Sequence, residues 1–277
     1  MRVALAQVDC ELGAVGANLA TAERHVLEAV GEGADLVVFP ELALNGYALS
    51  MASEDTSLRV TDQRVTALSR HGPDVLVGLY EDGGVRRYNT AAYLAAGELV
   101  HSQRKLYLPN YLIWEERKHA SPGQSLRAFD TAHGRLAVLV CNDAWQFAMP
   151  WLAVQDGAEL LLVVANSTAG GGPDPIDNVA YWGELLQFIA RMQQVWVVFV
   201  NRVGDENGAR FWGGSRVLDP LGNVVAQAPL WESALVTVNV DPSVARRRRR
   251  EVPLIAEARL GLVAREVDRL IREGGDA

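Results

Sequence analysis

The feature that most constrains this chain is a set of short apolar runs with almost no polar interruption. Leu36 to Phe39 ("LVVF"), Leu136 to Val140 ("LAVLV"), Leu160 to Val164 ("LLLVV") and Val195 to Val200 ("VWVVFV") contain no polar residue. A strand with one wet face alternates apolar and polar side chains, whereas a strand without alternation must be covered on both faces. Between these runs lie blocks with apolar residues at helical spacing. "NLATAERHVLEAVGEG" (from Asn18) ends in glycine, "PWLAVQDG" is a shorter helix, and "NVAYWGELLQFIARMQQ" (from Asn178) is long. Strands alternating with helices predict an α/β protein in layers.

Further strands are expected in "RVALAQVD", "DVLVGLYE", either side of a turn at Gly97 in "RYNTAAYLAAGELVHSQRK", and in "SALVTVNVD". "GGSRVLDPLGNVVAQA" reads as a hairpin turning at "DPLGN". No Ser/Gly linker divides the 277 residues, so one domain is expected over 1–277, with a core to about Asp241 and a C-terminal arm over 242–277. The arm opens with Arg246 to Arg250. In an acidic chain, a charge run leading into a helix-like stretch reads as a solvated or subunit-contacting segment.

Composition narrows the function. A net charge of −8 argues against nucleic acid and anionic membrane as partners. No apolar run reaches the ~18 residues that span a bilayer, and the N-terminus reads as a first strand, not a signal peptide. Two cysteines, Cys10 and Cys141, are too few for a disulfide scaffold, which points to free thiols and a cytoplasmic setting. The five histidines are scattered, with no HExxH and no CxxC, so no metal is expected. The glycine-rich stretch from Gly170 to Pro175 lacks a following Gly-Lys-Ser/Thr and reads as a loop.

Three strand ends deliver reactive groups. The run Leu136 to Val140 stops at Cys141, with Asn142, Asp143 and Trp145 behind it. The run Leu36 to Phe39 is followed by Pro40 and Glu41. Lys105 follows "ELVHSQ" and precedes "LYLPNYLIWEERKHASPG". Singly, each has a plain explanation: a packed thiol, a surface glutamate, a solvated lysine. Together they supply a mechanism in which a carboxylate takes the thiol proton, the thiolate attacks an amide or nitrile carbon, and an ammonium with backbone N–H groups holds the resulting anion. Cys10, at the end of the first strand with no basic neighbour in the sequence, is expected to be structural.

"FPELALNGY", "RKLYLPNY" and "LVCNDAWQFAMP" resemble, in order and spacing, the three catalytic motifs of the nitrilase superfamily of carbon–nitrogen hydrolases. The resemblance runs from Met1 to about Asp241. It implies a four-layer α-β-β-α sandwich, often a homodimer or higher oligomer, with Glu41 as base, Lys105 as oxyanion stabiliser and Cys141 as nucleophile, and no cofactor. The family's second glutamate falls on Glu115 or Glu116; Glu116 keeps the spacing to Pro122 and Gly123. The backbone N–H of Asn142 is the expected second oxyanion donor. The "LPNY…EE…PG" stretch is similar to the glutaminase portion of NAD synthetases and to small aliphatic amidases, without the ATP-dependent region that follows such a glutaminase.

Tyr111, Trp114, Trp145, Trp182 and Trp212 lie in or near the expected active-site loops, as pocket walls or as core. Asn166 and Ser167 are placed to bond a polar group of the substrate. The expected activity is hydrolysis of a small amide through a cysteine thioester. The alternatives are nitrilase action, N-carbamoyl hydrolysis, a glutaminase-like subunit serving a separate synthetase, and a catalytically silent binding member of the fold.

Overall fold

The computed structural model describes residues 1–52, 54–111, 114–169 and 177–275; the glycine-rich stretch from Gly170 to Pro175 lies outside them. The first half runs β1 (Arg2–Gln7), α1 (Val15–Gly31), β2 (Leu36–Val38), α2 (Gln63–Thr66), β3 (Asp74–Asp82), β4 (Arg87–Ala95) and β5 (Glu98–Arg104). The second runs β6 (Phe129–Thr131), β7 (Gly134–Val140), α3 (Ala148–Gln155), β8 (Leu160–Ala165), α4 (Asn178–Gln193), β9 (Trp196–Asn201), β10 (Val203–Glu206), β11 (Ala209–Trp212), β12 (Arg216–Leu218), β13 (Val224–Gln227) and β14 (Ala234–Asn239). Two helices follow, α5 (Ser243–Glu251) and α6 (Leu260–Arg272).

The strands form two six-stranded sheets, ordered β14-β1-β2-β3-β4-β5 and β13-β12-β9-β8-β7-β6. In each, three parallel strands (β1, β2, β3 and β7, β8, β9) form the centre and antiparallel strands flank them. Strand parity builds the layers, because successive side chains point to opposite faces. Val3, Leu5, Leu36, Val38 and Leu76 pack against Leu160, Leu162, Val164, Val198 and Val200 between the sheets. Their neighbours Ala4, Ala6, Val37, Val75 and Val77 face outward onto Ala22, Val26 and Ala29 of α1. On the other side, Leu161, Val163 and Ala165 face Trp182, Leu186 and Ile189 of α4. The result is the α-β-β-α sandwich, and it explains why the central strands carry no polar alternation.

Both expected turns are present. Ala96 and Gly97 take φ +51 and +83 between β4 and β5, the left-handed pair that a two-residue hairpin turn demands. Asp219 Oδ1 accepts from the N–H groups of Leu221 and Asn223 between β12 and β13. The stretch read as one strand, "VWVVFVNRVG", is instead broken at Arg202, and β10 turns back on β11 through Asn207 and Gly208 (φ +49 and +79). The arginine run forms most of α5. Two of its members fasten that helix to the fold: Arg246 pairs with Glu159 at 2.7 Å, and Arg249 donates to the carbonyls of Ala158 and Gln194, while Ala245 is fully buried. By contrast α6 buries no residue.

Candidate active site

The parallel strands of both sheets end on one edge, and that is where ligands meet α/β sheets. Glu41 lies just past β2. Because β5 is antiparallel to β4, and β4 to β3, β5 runs parallel to β3 and brings Lys105 to the same edge. The antiparallel β4 begins there, with Asn89 near its start. From the facing sheet, β7 ends at Val140 and β8 at Ala165, delivering Cys141 and Asn166.

Local backbone geometry aims these groups. Cys141 has φ +49, a left-handed conformation uncommon for a residue with a side chain. It opens a tight turn over Cys141–Trp145 that reverses the chain directly after the strand. Leu42, one residue past the carboxylate, has φ +48. Gly78 of β3 lies under that segment: a Cβ there would sit 2.4 Å from both the Pro40 carbonyl oxygen and the Leu42 nitrogen. Only glycine lets the Glu41 turn lie flat on the sheet.

Glu41 and Lys105 are fully buried. Lys105 Nζ donates to Glu41 Oε1 and to Glu116 Oε1, each at 2.7 Å. Glu41 Oε1 also accepts from Asn89 Nδ2 at 2.7 Å, and its Oε2 accepts the Asn166 backbone N–H at 2.7 Å. Glu116 Oε1 takes the Tyr47 hydroxyl at 2.5 Å. An ammonium carries three N–H donors; two are spent on the carboxylates and one remains. Of the two candidate glutamates, Glu116 is the one brought to Lys105. Glu115 pairs with Lys118 on the surface.

Several polar atoms here make no hydrogen bond among the described residues: Glu116 Oε2, both side-chain atoms of Asn166, and Asn89 Oδ1, all buried. Such groups are costly to leave unpaired, and they mark where a polar ligand fits. The charges are biased in consistent directions. Burial pushes the Cys141 thiol well above its ordinary value, and Glu41 adds to this against the opposing pull of Lys105. Burial also raises Glu116, against Lys105. For Lys105, burial opposes the charge, but Glu116 and Glu41 outweigh it and hold the ammonium well above the ordinary range. Burial thus favours the neutral thiol at Cys141, near a Lys105 ammonium held between Glu41 and Glu116.

The remaining expected residues divide. Asn142 is partly exposed and donates its side-chain amide to the Tyr107 carbonyl at 3.1 Å. Tyr111 is exposed at the mouth, where burial and then the Cys141 charge raise its phenol. Trp145 is exposed at the rim, edge-on to Trp182 with ring centres 5.4 Å apart. Trp114 stands edge-on to Tyr47 at 5.4 Å and lines a cavity of about 420 Å³ that reaches Glu116, Asn89 and Phe211. Trp182 and Trp212 are core residues, and their indole N–H groups both donate to Ser167 Oγ, at 2.9 and 3.0 Å. Both lone pairs of Ser167 Oγ thus serve tryptophans of the core. Sequence reasoning gave no part to Tyr47, Asn89 or Asp143. Tyr47 closes the quoted "FPELALNGY", and Asn89 is a polar residue opening an apolar strand, so both carried a readable signal. Among the described residues, no group of three His, Cys, Asp or Glu side chains is disposed to hold a metal, and no helix is long and apolar enough to cross a membrane.

Residues 2–250 match the carbon-nitrogen hydrolase family. Among curated relatives, a glutamine-dependent NAD(+) synthetase of Thermotoga maritima is 32% identical over 250 residues, covering 87% of this chain and 42% of that protein. A human omega-amidase is 27% identical over 261 residues, covering 90% of this chain and 92% of that protein. Among solved structures, an amidase from Nesterenkonia sp. AN1, with acrylamide added at its active-site cysteine, superposes with TM-score 0.77 at 26% identity, covering 91% of this chain and 98% of that one. The chain spans about half the length of the NAD synthetases it matches, 42% and 48% for two of them.

Proposed function

The chain belongs to the carbon–nitrogen hydrolase family, and from that premise we propose that it hydrolyses a small non-peptide amide through a thioester on Cys141. The observation that carries the proposal is the buried Glu41–Lys105–Glu116 chain, with Lys105 Nζ bonded to both carboxylates beside the Cys141 turn. Glu41 takes the Sγ proton as Sγ attacks the amide carbon. The third Lys105 donor and the Asn142 backbone N–H hold the oxyanion. Glu41 passes its proton to the leaving nitrogen, and ammonia or an amine departs. Water then attacks the thioester, giving its proton to Glu41, with the open Glu116 Oε2 as its acceptor. The tetrahedral adduct collapses to the carboxylic acid, and Sγ leaves as it takes that proton back from Glu41, restoring the thiol. General acid–base transfer and oxyanion donors each contribute about 10²-fold or more. Glu41 is oriented at both oxygens, which suits a base that must serve twice. Tyr47 holds Glu116, and Trp145, Tyr111 and the open amide of Asn166 face the acyl group.

Exposed Phe147, Tyr181, Phe188 and Met192 on α3, α4 and their approach support a homodimer through that flank. The two free cysteines fit a reducing, cytoplasmic setting. A second reading rests on the 32% identity to a glutamine-dependent NAD(+) synthetase: a glutaminase whose ammonia serves a synthetase. The test is intact-mass spectrometry of wild type and Cys141→Ala with a panel of amides, glutamine, ureido acids and nitriles, with ammonia assayed in parallel. An acyl adduct on wild type alone is expected. Turnover by the alanine variant would overturn the nucleophile.

A further inference from the structure

Asp143 is fully buried two residues past the nucleophile, and both its oxygens are spent on backbone. Oδ1 accepts the N–H groups of Leu106 at 2.9 Å and Tyr107 at 2.8 Å, and Oδ2 accepts that of Val140 at 3.2 Å. Those three donors are not arbitrary: Leu106 and Tyr107 directly follow Lys105, and Val140 directly precedes Cys141. We propose that Asp143 is a positioning residue whose carboxylate ties the segment after Lys105 to the strand end before Cys141, and so sets where the ammonium stands relative to the thiol.

The two segments belong to different sheets. Between them, the sheet-to-sheet core is apolar, and apolar packing tolerates small slides that a catalytic pair cannot. A fork of three hydrogen bonds does not slide. Asn142 adds a second tie across the same gap through the Tyr107 carbonyl. Both oxygens of Asp143 accept backbone N–H groups, which separates it from Glu116, whose Oε2 is open, and from Glu41, which takes the Lys105 ammonium. Its charge is held at a cost: burial pushes the carboxyl up to about 7, against the backbone N–H groups of Tyr107, Val140 and Leu106 and the nearby Lys105 charge. An apolar side chain would fill the space without that penalty, so the fork itself accounts for a carboxylate here. Lys105 is the charged group that reaches Asp143, and Cys141 adjoins it in the same turn.

The proposal rests on Cys141 as nucleophile, and the test separates the two. The probe is iodoacetamide, followed by intact mass in a Cys10→Ala background so that the added mass reports Cys141. Wild type is compared with Asp143→Asn, which keeps the shape but turns an amide N–H toward the Val140 donor. With native circular dichroism, alkylation at pH 8 should slow about tenfold in Asp143→Asn, and its pH midpoint should rise by about one unit, because a displaced Lys105 no longer favours the thiolate. A packing role alone would lower Tm and leave rate and midpoint unmoved, and that result overturns the proposal. Wild type that fails to alkylate at Cys141 overturns the nucleophile instead. Should Asp143→Asn not fold, amide exchange of wild type decides. The Leu106 and Tyr107 amides, both accepted by Asp143 Oδ1, should be protected at least about tenfold over their intrinsic rates at pH 8. Exchange of both at intrinsic rates overturns it.

Discussion

Among the described residues, a buried ionic cluster lies beside each cysteine, and the two are built to opposite ends. Around Cys10, Arg202 pairs with Glu206 at 2.8 Å and Asp9 at 3.0 Å, donates to the Cys10 carbonyl at 2.6 Å, and lies over the Phe211 ring. Glu206 Oε1 takes the N–H groups of Tyr47 and Ala48. Among the described residues, every buried polar side-chain atom of that cluster has a partner. Around Cys141, the ion pairs are as short, yet one lysine donor, Glu116 Oε2 and the Asn166 amide are unspent, and the cysteine sits at φ +49. A saturated cluster contributes order; an unsaturated one contributes chemistry, because only open donors and acceptors can follow a charge as it develops. Cys10 has no basic neighbour in the sequence, but Arg202 reaches it from just past β9, with all three side-chain nitrogens bonded.

The sharpest way to break this comparison is to exchange the roles of the thiols. Cys141→Ala should abolish amide turnover, while Cys10→Ala should keep activity within about threefold, since a buried Cys acts as a small hydrophobe; initial rates of ammonia release decide. Activity lost with Cys10 and kept without Cys141 would reverse the assignment. Next in size is Lys105→Met, which leaves two buried carboxylates facing each other. We expect a loss of about 10²-fold or more in kcat and a stability loss of about 3–5 kcal/mol, read by rates and by denaturant melts on one preparation. Arg202→Met should match that stability loss, about 3–5 kcal/mol, with kcat per folded molecule little changed. A large kcat loss at unchanged stability would show that the two clusters are not distinct in kind.

The smallest effects sharpen the picture. Tyr47→Phe removes one of the two donors to Glu116 Oε1 and should lower kcat about tenfold, with a stability loss of about 1 kcal/mol for the lost hydrogen bond, since Lys105 still donates to that oxygen; initial rates and denaturant melts read both. At Cys10, burial raises the thiol from its ordinary 9.0 to about 12. The fold therefore favours the neutral thiol: that contribution is whole below about pH 9 and is lost as pH rises toward about 12. Thermal melts from pH 8 to 11 should fall more steeply for wild type than for Cys10→Ala; parallel slopes would place the alkaline sensitivity elsewhere.

Much of the fold was legible because burial on both faces leaves its own mark: β7, β8 and β9 read as unbroken apolar runs, and α1 and α4 as helical stripes. The break at Arg202 was not, since a polar pair within an apolar run looks like a strand end until its partners are known. At the site, Glu41, Lys105 and Cys141 were readable as polar residues at strand ends. Glu116 was preferred over Glu115 by spacing, and the two diverge in space into a buried bond and a surface pair. The two indoles on Ser167 were not legible, because a hydroxyl after a strand looks the same whatever it meets.

By itself, then, the sequence determined the layers, the strand and helix periods and which strand ends carry reactive groups, because those follow from neighbours along the chain. Only the tertiary structure decided which carboxylate meets the lysine, which cysteine sits among open valences, and that Asp143 stitches two sheets together. Those depend on contacts between segments 11 residues apart, as from Lys105 to Glu116, and 36 apart, as from Tyr107 to Asp143, and hydrogen-bond saturation has no signature in local order.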